Sequence, residues 1–168
     1  AAEADIADNE DAGADADKVD LSAIASAPAR RDQGEPSKIL LVDDEREFVQ
    51  TLSERLMMRD LGSAVAYDGE SALEVAREDE PDVMILDLKM PGIDGIEVLR
   101  RIKKTQPEIE VIILTGHGSE ADKTICKQLG AFAYLQKPVD IEELSATIKA
   151  AHEQIRRKQD EQKRSTQT

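Results

Sequence analysis

The sequence has no tryptophan, two tyrosines and two phenylalanines. Its core must therefore be aliphatic, drawn from the Leu, Ile, Val, Ala and Met that dominate a hydrophobic share of 40%. Cys126 is the only cysteine, which excludes an internal disulfide and points to a reducing compartment. It is expected to pack on a helix face rather than to serve redox chemistry. The two histidines, His117 and His152, stand far apart with no cysteine nearby, so a His/Cys zinc site is not expected. No apolar run approaches the roughly 18 residues of a membrane span, and no charged-then-apolar leader opens the chain. The first residue is alanine rather than methionine, as in a processed or excised piece of a longer chain. Positive charge is scarce: 22 basic residues face 36 acidic ones, for a formal charge of −14. Such a chain would repel phosphate backbones, so direct nucleic-acid binding is not expected, and cations or basic partners are.

What is present divides the chain in three. Residues 1–36 carry ten acidic and three basic side chains, many alanines and no apolar period, and end in "APARRDQGEPS". This composition predicts a disordered acidic arm or linker. Residues 37–156 alternate apolar runs with helix-like stretches. Residues 157–168, "RKQDEQKRSTQT", are polar and are expected to form a fraying tail.

Within 37–156 the strands expected are Lys38–Val42, Ser63–Tyr67, Asp82–Leu86, Val111–Leu114 and Ala131–Leu135. The helices expected between and after them are Arg46–Met58, Ser71–Arg77, Gly95–Lys104, Ser119 to about Leu129, and a last one striped by Leu144, Ile148, Ala151 and Ile155. Capping boxes are expected at Asp94/Glu97, Ser119/Asp122 and Asp140/Glu143. Five β–α units predict an α/β fold with one five-stranded parallel sheet and helices on both faces. The runs "KILLV", "VMIL" and "VIIL" are unbroken, as central strands buried on both sides require, whereas "SAVAY" suits an edge. Of the two strand orders that fit, the flavodoxin-like order 2-1-3-4-5 is preferred.

The stretch "ILLVDDE" then poses a chemical question, because a buried strand ends in adjacent acids. In a parallel sheet all strand ends share one edge, and ligands bind there where strand order reverses. That edge gathers Asp43 and Asp44 after the first strand, Asp87 after the third, Thr115 after the fourth and Lys137 after the fifth. Two like charges about 4 Å apart cost about 4 kcal/mol at an effective dielectric of 20. Either their pKa values rise or a cation sits among them. An oxygen-only set of two or three acids completed by water suits Mg²⁺, and Mg²⁺ with Lys137 would neutralise three carboxylates. A lone Asp after a strand is commonly a helix cap, and Asp44 alone could be one. Asp87 is followed by the loop "LKMPGIDG" and caps no immediate helix.

The segments "ILLVDDE", "DVMILDLKMPGIDGIEVL", "VIILTG" and "GAFAYLQKPVD" resemble the receiver domain of two-component response regulators, over about Ser37 to Ile155. The resemblance implies that Asp87 accepts a phosphoryl group from a phosphohistidine on a sensor histidine kinase or phosphotransfer protein. It implies that Asp44 and Asp87 bind Mg²⁺ directly, that Asp43 helps through water, and that the Lys89 backbone carbonyl is the third protein ligand. Thr115 would be the switch hydroxyl, Lys137 the partner of the phosphoryl group, and Tyr134 the switch aromatic. The Lys137–Pro138 bond would be cis. Thr115 would move toward the phosphoryl group, Tyr134 would turn into the space it leaves, and the face of the fourth helix, fifth strand and fifth helix would change shape. Self-pairing of two copies through that face is a further partner arrangement. The chain would be a cytoplasmic switch that catalyses only its own phosphorylation and dephosphorylation, not an enzyme with a separate substrate.

Lys89 and His117, two residues beyond Asp87 and Thr115, would flank the phosphoryl group; the bland expectation is that both point to solvent. Three other functions compete. A haloacid-dehalogenase-type aspartyl-phosphate phosphatase needs an Asp-x-Asp loop, but Glu45 stands at the general-acid position. A flavodoxin-like electron carrier needs a phosphate-cradling first loop, which "DDE" would repel. A receiver-shaped module that is never phosphorylated would have no use for the whole set of Asp43, Asp44, Asp87, Thr115 and Lys137.

Overall fold

A computed structural model of the protein describes residues 38–167. The reading of 1–36 as a disordered arm lies outside them. The elements, in chain order, are β1 (Ile39–Val42), α1 (Arg46–Met57), β2 (Ser63–Ala66), α2 (Gly69–Glu78), β3 (Val83–Leu86), α3 (Gly95–Thr105), β4 (Glu110–Thr115), α4 (Glu120–Gln128), β5 (Ala133–Gln136) and α5 (Ile141–Gln167). The five strands form one parallel sheet in the order β2-β1-β3-β4-β5, as the sequence predicts.

Period-two alternation sorts the core into two layers. Leu40, Val42, Met84, Leu86, Val111 and Ile113 face α2, α3 and α4, where Ala72, Ala76, Val98, Leu99, Ile102 and Cys126 meet them. Ile39, Leu41, Val83, Ile85, Ile112 and Leu114 face α1 and α5, packing on Val49, Leu52 and Leu56 and on the stripe Leu144, Ile148, Ala151 and Ile155. β1, β3 and β4 are buried at every position, while edge strand β2 alternates between buried and half-buried residues. Each fully buried Leu or Ile contributes about 1.5–3 kcal/mol relative to exposure. Truncating one such as Ile113 to alanine would cost about 2–5 kcal/mol.

Three local features differ from the sequence reading. α2 starts two residues early, at Gly69, because Asp68 caps it by accepting from the Ser71 amide at 2.8 Å. At Ser119/Asp122 both halves of the capping box form, but at Asp94/Glu97 only Asp94 caps, accepting from the Glu97 amide at 2.9 Å. The Glu97 carboxylate goes instead to Arg100 and Arg101, its i+3 and i+4 neighbours. Finally, α5 does not fray after Arg156 but runs unbroken to Gln167. The segment contains no Gly or Pro and is rich in Arg, Lys, Gln and Glu, all good helix formers. Lys158 also ties it to the body through Glu110 at 3.0 Å.

Candidate functional site

The carboxyl ends of β1, β3, β4 and β5 meet at one edge of the sheet. β1 and β3 are neighbours with Val42 opposite Leu86, so the residues that follow, Asp43 and Asp87, lie side by side. The Asp87 amide donates to the Val42 carbonyl at 3.0 Å, and the Asp43 amide donates to the Ala66 carbonyl at 3.1 Å. These ladder bonds fix both backbones before any side-chain interaction is considered. α3 closes on the site from behind. The Gly95 amide donates to the Leu88 carbonyl at 2.9 Å, and a Cβ at Gly95 would overlap the Asp87 carbonyl oxygen. Only glycine lets the helix start come so near.

Asp43, Asp44 and Asp87 each offer a carboxylate oxygen, and the three oxygens lie within 4.8 Å of one another. Asp43 and Asp87 are buried and Asp44 is exposed. This all-oxygen donor set, open on one side, is one that a metal ion could occupy. Asp44 caps no helix: the cap of α1 is Glu45, with no side-chain cap bond, and the Glu45 amide donates instead to Asp43 Oδ1 at 2.9 Å. Asp87 Oδ1 accepts from the Leu88 amide at 2.8 Å.

Lys137 reaches in from the end of β5. Its Nζ lies 2.6 Å from Asp43 Oδ2, 2.8 Å from Glu45 Oε1 and 3.9 Å from Asp87 Oδ2. It also sits over the Phe48 ring, 4.2 Å from the centroid. The Lys137–Pro138 bond is cis, as expected. Burial disfavours the Lys137 ammonium, but the hydrogen bonds to Asp43 and Glu45 and the charges of Asp43 and Asp87 outweigh it and hold its pKa above the ordinary lysine value. Burial raises the Asp43 carboxyl; the Lys137 and Glu45 hydrogen bonds oppose the rise without cancelling it, and the Asp87 charge adds to it. The hydrogen bond from Lys137 and then its charge lower the Glu45 carboxyl.

Thr115, fully buried, ends β4, and its Oγ1 accepts from the His117 amide at 3.3 Å. Tyr134 stands on β5 opposite Ile113 and is half-buried, with its hydroxyl shielded from solvent and without a hydrogen bond. Lys89 and His117 are both exposed at the mouth of the site.

The structure thus gathers Asp43, Asp44, Asp87 and Lys137 directly and sets Thr115 on the neighbouring strand end. Sequence reasoning missed two members of the cluster. Glu45 shares Lys137 with Asp43, yet it drew attention only as a departure from another family's motif. Phe48 reads as part of the α1 core stripe, but the buried positions are Val49, Leu52 and Leu56, and Phe48 lies partly buried beside Lys137. The helical wheel was the available signal: about 100° per residue sets Phe48 roughly 40° beyond Leu52, at the margin of the row formed by Val49, Leu52 and Leu56.

Comparison with known proteins agrees with this geometry. The family model described as the response regulator receiver domain matches residues 39–149. The transcriptional regulatory protein CpxR of Escherichia coli K12 is 44% identical over 114 residues, which are 68% of this chain and 48% of CpxR. The chain therefore spans about half the length of the curated relatives it matches. Among solved structures, a response regulator receiver domain protein from Clostridium thermocellum is 38% identical with a TM-score of 0.67, covering 73% of this chain and 97% of that one. The BeF3-activated DrrB receiver domain is 32% identical with a TM-score of 0.64, covering 70% of this chain and 98% of that one. Buried Asp43 beside exposed Asp44, buried Asp87 on the neighbouring strand and a lysine reaching toward them are the features of a receiver-type α/β fold and site. The chain belongs to the response regulator receiver domain family of two-component systems.

Proposed function

We propose that Asp87 accepts a phosphoryl group from the phosphohistidine of a sensor histidine kinase or phosphotransfer protein, and that the chain is a Mg²⁺-dependent signalling switch. A carboxylate oxygen of Asp87 forms the new bond to phosphorus while the phosphorus–nitrogen bond to the donor breaks and the imidazole leaves with the electron pair. The observation that carries this reading is the convergence of the Asp43, Asp44 and Asp87 oxygens within 4.8 Å, with Lys137 Nζ 3.9 Å from Asp87. Phosphoryl transfer needs in-line positioning and neutralisation of charge on the equatorial oxygens, and little else from the protein.

Asp43, Asp44, Asp87 and the Lys89 carbonyl would hold Mg²⁺. Bound there, the ion supplies electrostatic stabilisation of the transferring group. The chain's own residues do the rest. Leu88 orients Asp87 through its amide, and Lys137 exchanges Glu45 and Asp43 for phosphoryl oxygens. Thr115 can swing its hydroxyl from the His117 amide toward the same group. Phosphorylation of Asp87 converts its carboxylate to an acyl phosphate and adds about one negative charge to the pocket, which draws Lys137 and Thr115 inward. α4, β5 and α5, which carry Tyr134 and adjoin Thr115 and Lys137, form the face through which the change reaches a partner, a second copy of the chain included.

The reaction is confined to the chain's own carboxylate, with no separate substrate turned over. A cytoplasmic location belongs to the same reading, since a lone buried thiol and a phosphohistidine donor both suit a reducing compartment. None of the described helices is long and apolar enough to cross a membrane. Incubation with Mg²⁺ and acetyl phosphate, followed by intact mass measurement, tests the proposal. Wild type should gain one phosphoryl group and Asp87→Asn none. Equal uptake by both, or uptake by neither, overturns it.

A further inference from the structure

Tyr134 occupies a place that only a glycine at 118 leaves open. Its hydroxyl is shielded from solvent and bonded to nothing. A Cβ built on Gly118 would overlap that hydroxyl oxygen outright, and would lie 2.9 Å from Tyr134 Cζ and 3.1 Å from the Thr115 methyl. The Tyr134 phenol, the Thr115 side chain and the Gly118 backbone therefore crowd into one space.

The glycine is not needed for its own backbone. The positive-φ glycines among the described residues are Gly92 and Gly130, so Gly118 has a conformation open to alanine. The nearest atoms that a Cβ there would meet belong to Tyr134 and Thr115. The loop that holds it is also tied to the switch residue, since Thr115 Oγ1 accepts from the His117 amide at 3.3 Å. When the Thr115 hydroxyl turns toward Asp87, that amide loses its partner and the adjoining Gly118 is freed to move. An unbonded hydroxyl holds Tyr134 weakly in its inward place. A surface groove of about 460 Å³, bordered by Ser119, Lys123, Gln136 and Glu143, adjoins the ring and can receive it when it swings out.

We infer that Gly118 is a positioning residue: by lacking a side chain it admits Tyr134 inward, and it thereby sets how strongly a change at Asp87 is passed to the α4–β5–α5 face. The transmission half of this inference rests on the proposed phosphorylation of Asp87, whereas the steric half does not.

The steric half is tested on the unphosphorylated full chain by NMR. Wild type should show nuclear Overhauser contacts between the Tyr134 ring and the Thr115 methyl. Gly118→Ala should lose them while keeping a dispersed amide spectrum, and adding Tyr134→Phe, which removes the overlapping oxygen and leaves the ring to give by only a few tenths of an ångström, should bring most of them back. Contacts that persist at wild-type intensity in Gly118→Ala overturn the inference. So does their loss without recovery in the double variant, because that marks general damage to the loop. For the transmission half, Gly118→Ala should take up phosphoryl groups from acetyl phosphate to within about twofold of wild type. Its beryllofluoride-induced amide shifts over 120–128 and 133–136 should shrink severalfold; unchanged shifts overturn this half. A wild type that takes up no phosphoryl group sinks the phosphorylation reading and the transmission half with it, and leaves the NMR comparison of the two variants intact.

Discussion

Lys137 is held from several directions at once, by Asp43, by Glu45 and by the Phe48 ring, with Asp87 slightly farther off. Such a cation is restrained but not spent, because Glu45 is largely exposed and can be exchanged for a better anion at little cost. Cys126 is the opposite kind of residue, sealed in the core with its thiol pushed up to about 11, first by burial and then by the charges of Asp122 and Asp94. Between its ordinary value of 9.0 and about 11 the folded chain keeps a proton that the unfolded chain releases. Stability therefore falls as pH climbs through that window, by about 2.7 kcal/mol at most. Urea unfolding of wild type and Cys126→Ala at pH 8 and pH 10.5 should show the gap between them narrow or reverse at the higher pH. A constant gap would refute the assignment. The chemistry-bearing strand-end residues, Asp43, Asp44, Asp87, Thr115 and Lys137, were legible because strand ends in a parallel sheet have nowhere else to go. Glu45, Phe48 and Gly118 were not, since their parts depend on where a side chain points or on what a missing one makes room for.

At the scale of elements, the strands and all five helices followed from unbroken apolar runs and helical stripes, the strand order was the preferred of two that fitted, and boundaries moved by one to a few residues where caps or pairing decided them. Ser119 and Asp122 form the full reciprocal cap of α4. Ser119→Ala should cost about 1 kcal/mol in urea unfolding, and amide exchange should quicken first in the opening turn of α4. The extension of α5 was illegible because nothing apolar marks it after Ile155. Helix propensity and the long-range tie from Lys158 to Glu110 support it. Glu110 is buried at the start of β4, 3.7 Å from Lys103 Nζ and 3.0 Å from Lys158 Nζ. Lys158 is half-exposed, so Lys158→Ala should change global stability by less than about 1 kcal/mol. It should nevertheless raise hydrogen exchange over residues 157–167 severalfold. Unaltered exchange there would mean that propensity alone holds the extension.

For the molecule as a whole, the formal charge of −14 makes crowding of acids at one edge a general electrostatic burden as well as a local one. Occupation of the carboxylate cluster by a divalent ion should therefore stabilise the fold. With Mg²⁺ at about a hundredfold over its dissociation constant, mass action supplies about 2.7 kcal/mol, a shift of several degrees in Tm. Thermal melts with and without Mg²⁺ should show that rise in wild type and lose most of it in Asp44→Asn. An equal rise in both would place the effect elsewhere on the acidic surface.

Since the helix that follows a strand of a parallel sheet runs back against it, α5 begins beside Lys137 and leaves at the opposite edge, where Lys158 meets Glu110. Its 27 residues make a rod about 40 Å long, with roughly 16 Å of it past Arg156. A pivot of about ten degrees at the near end would sweep the far tip through roughly 7 Å, so a small rotation beside the carboxylate pocket is enlarged along the rod. Paired spin labels, one at Ser165 and one on the sheet, would read that angular gain directly as a change in separation.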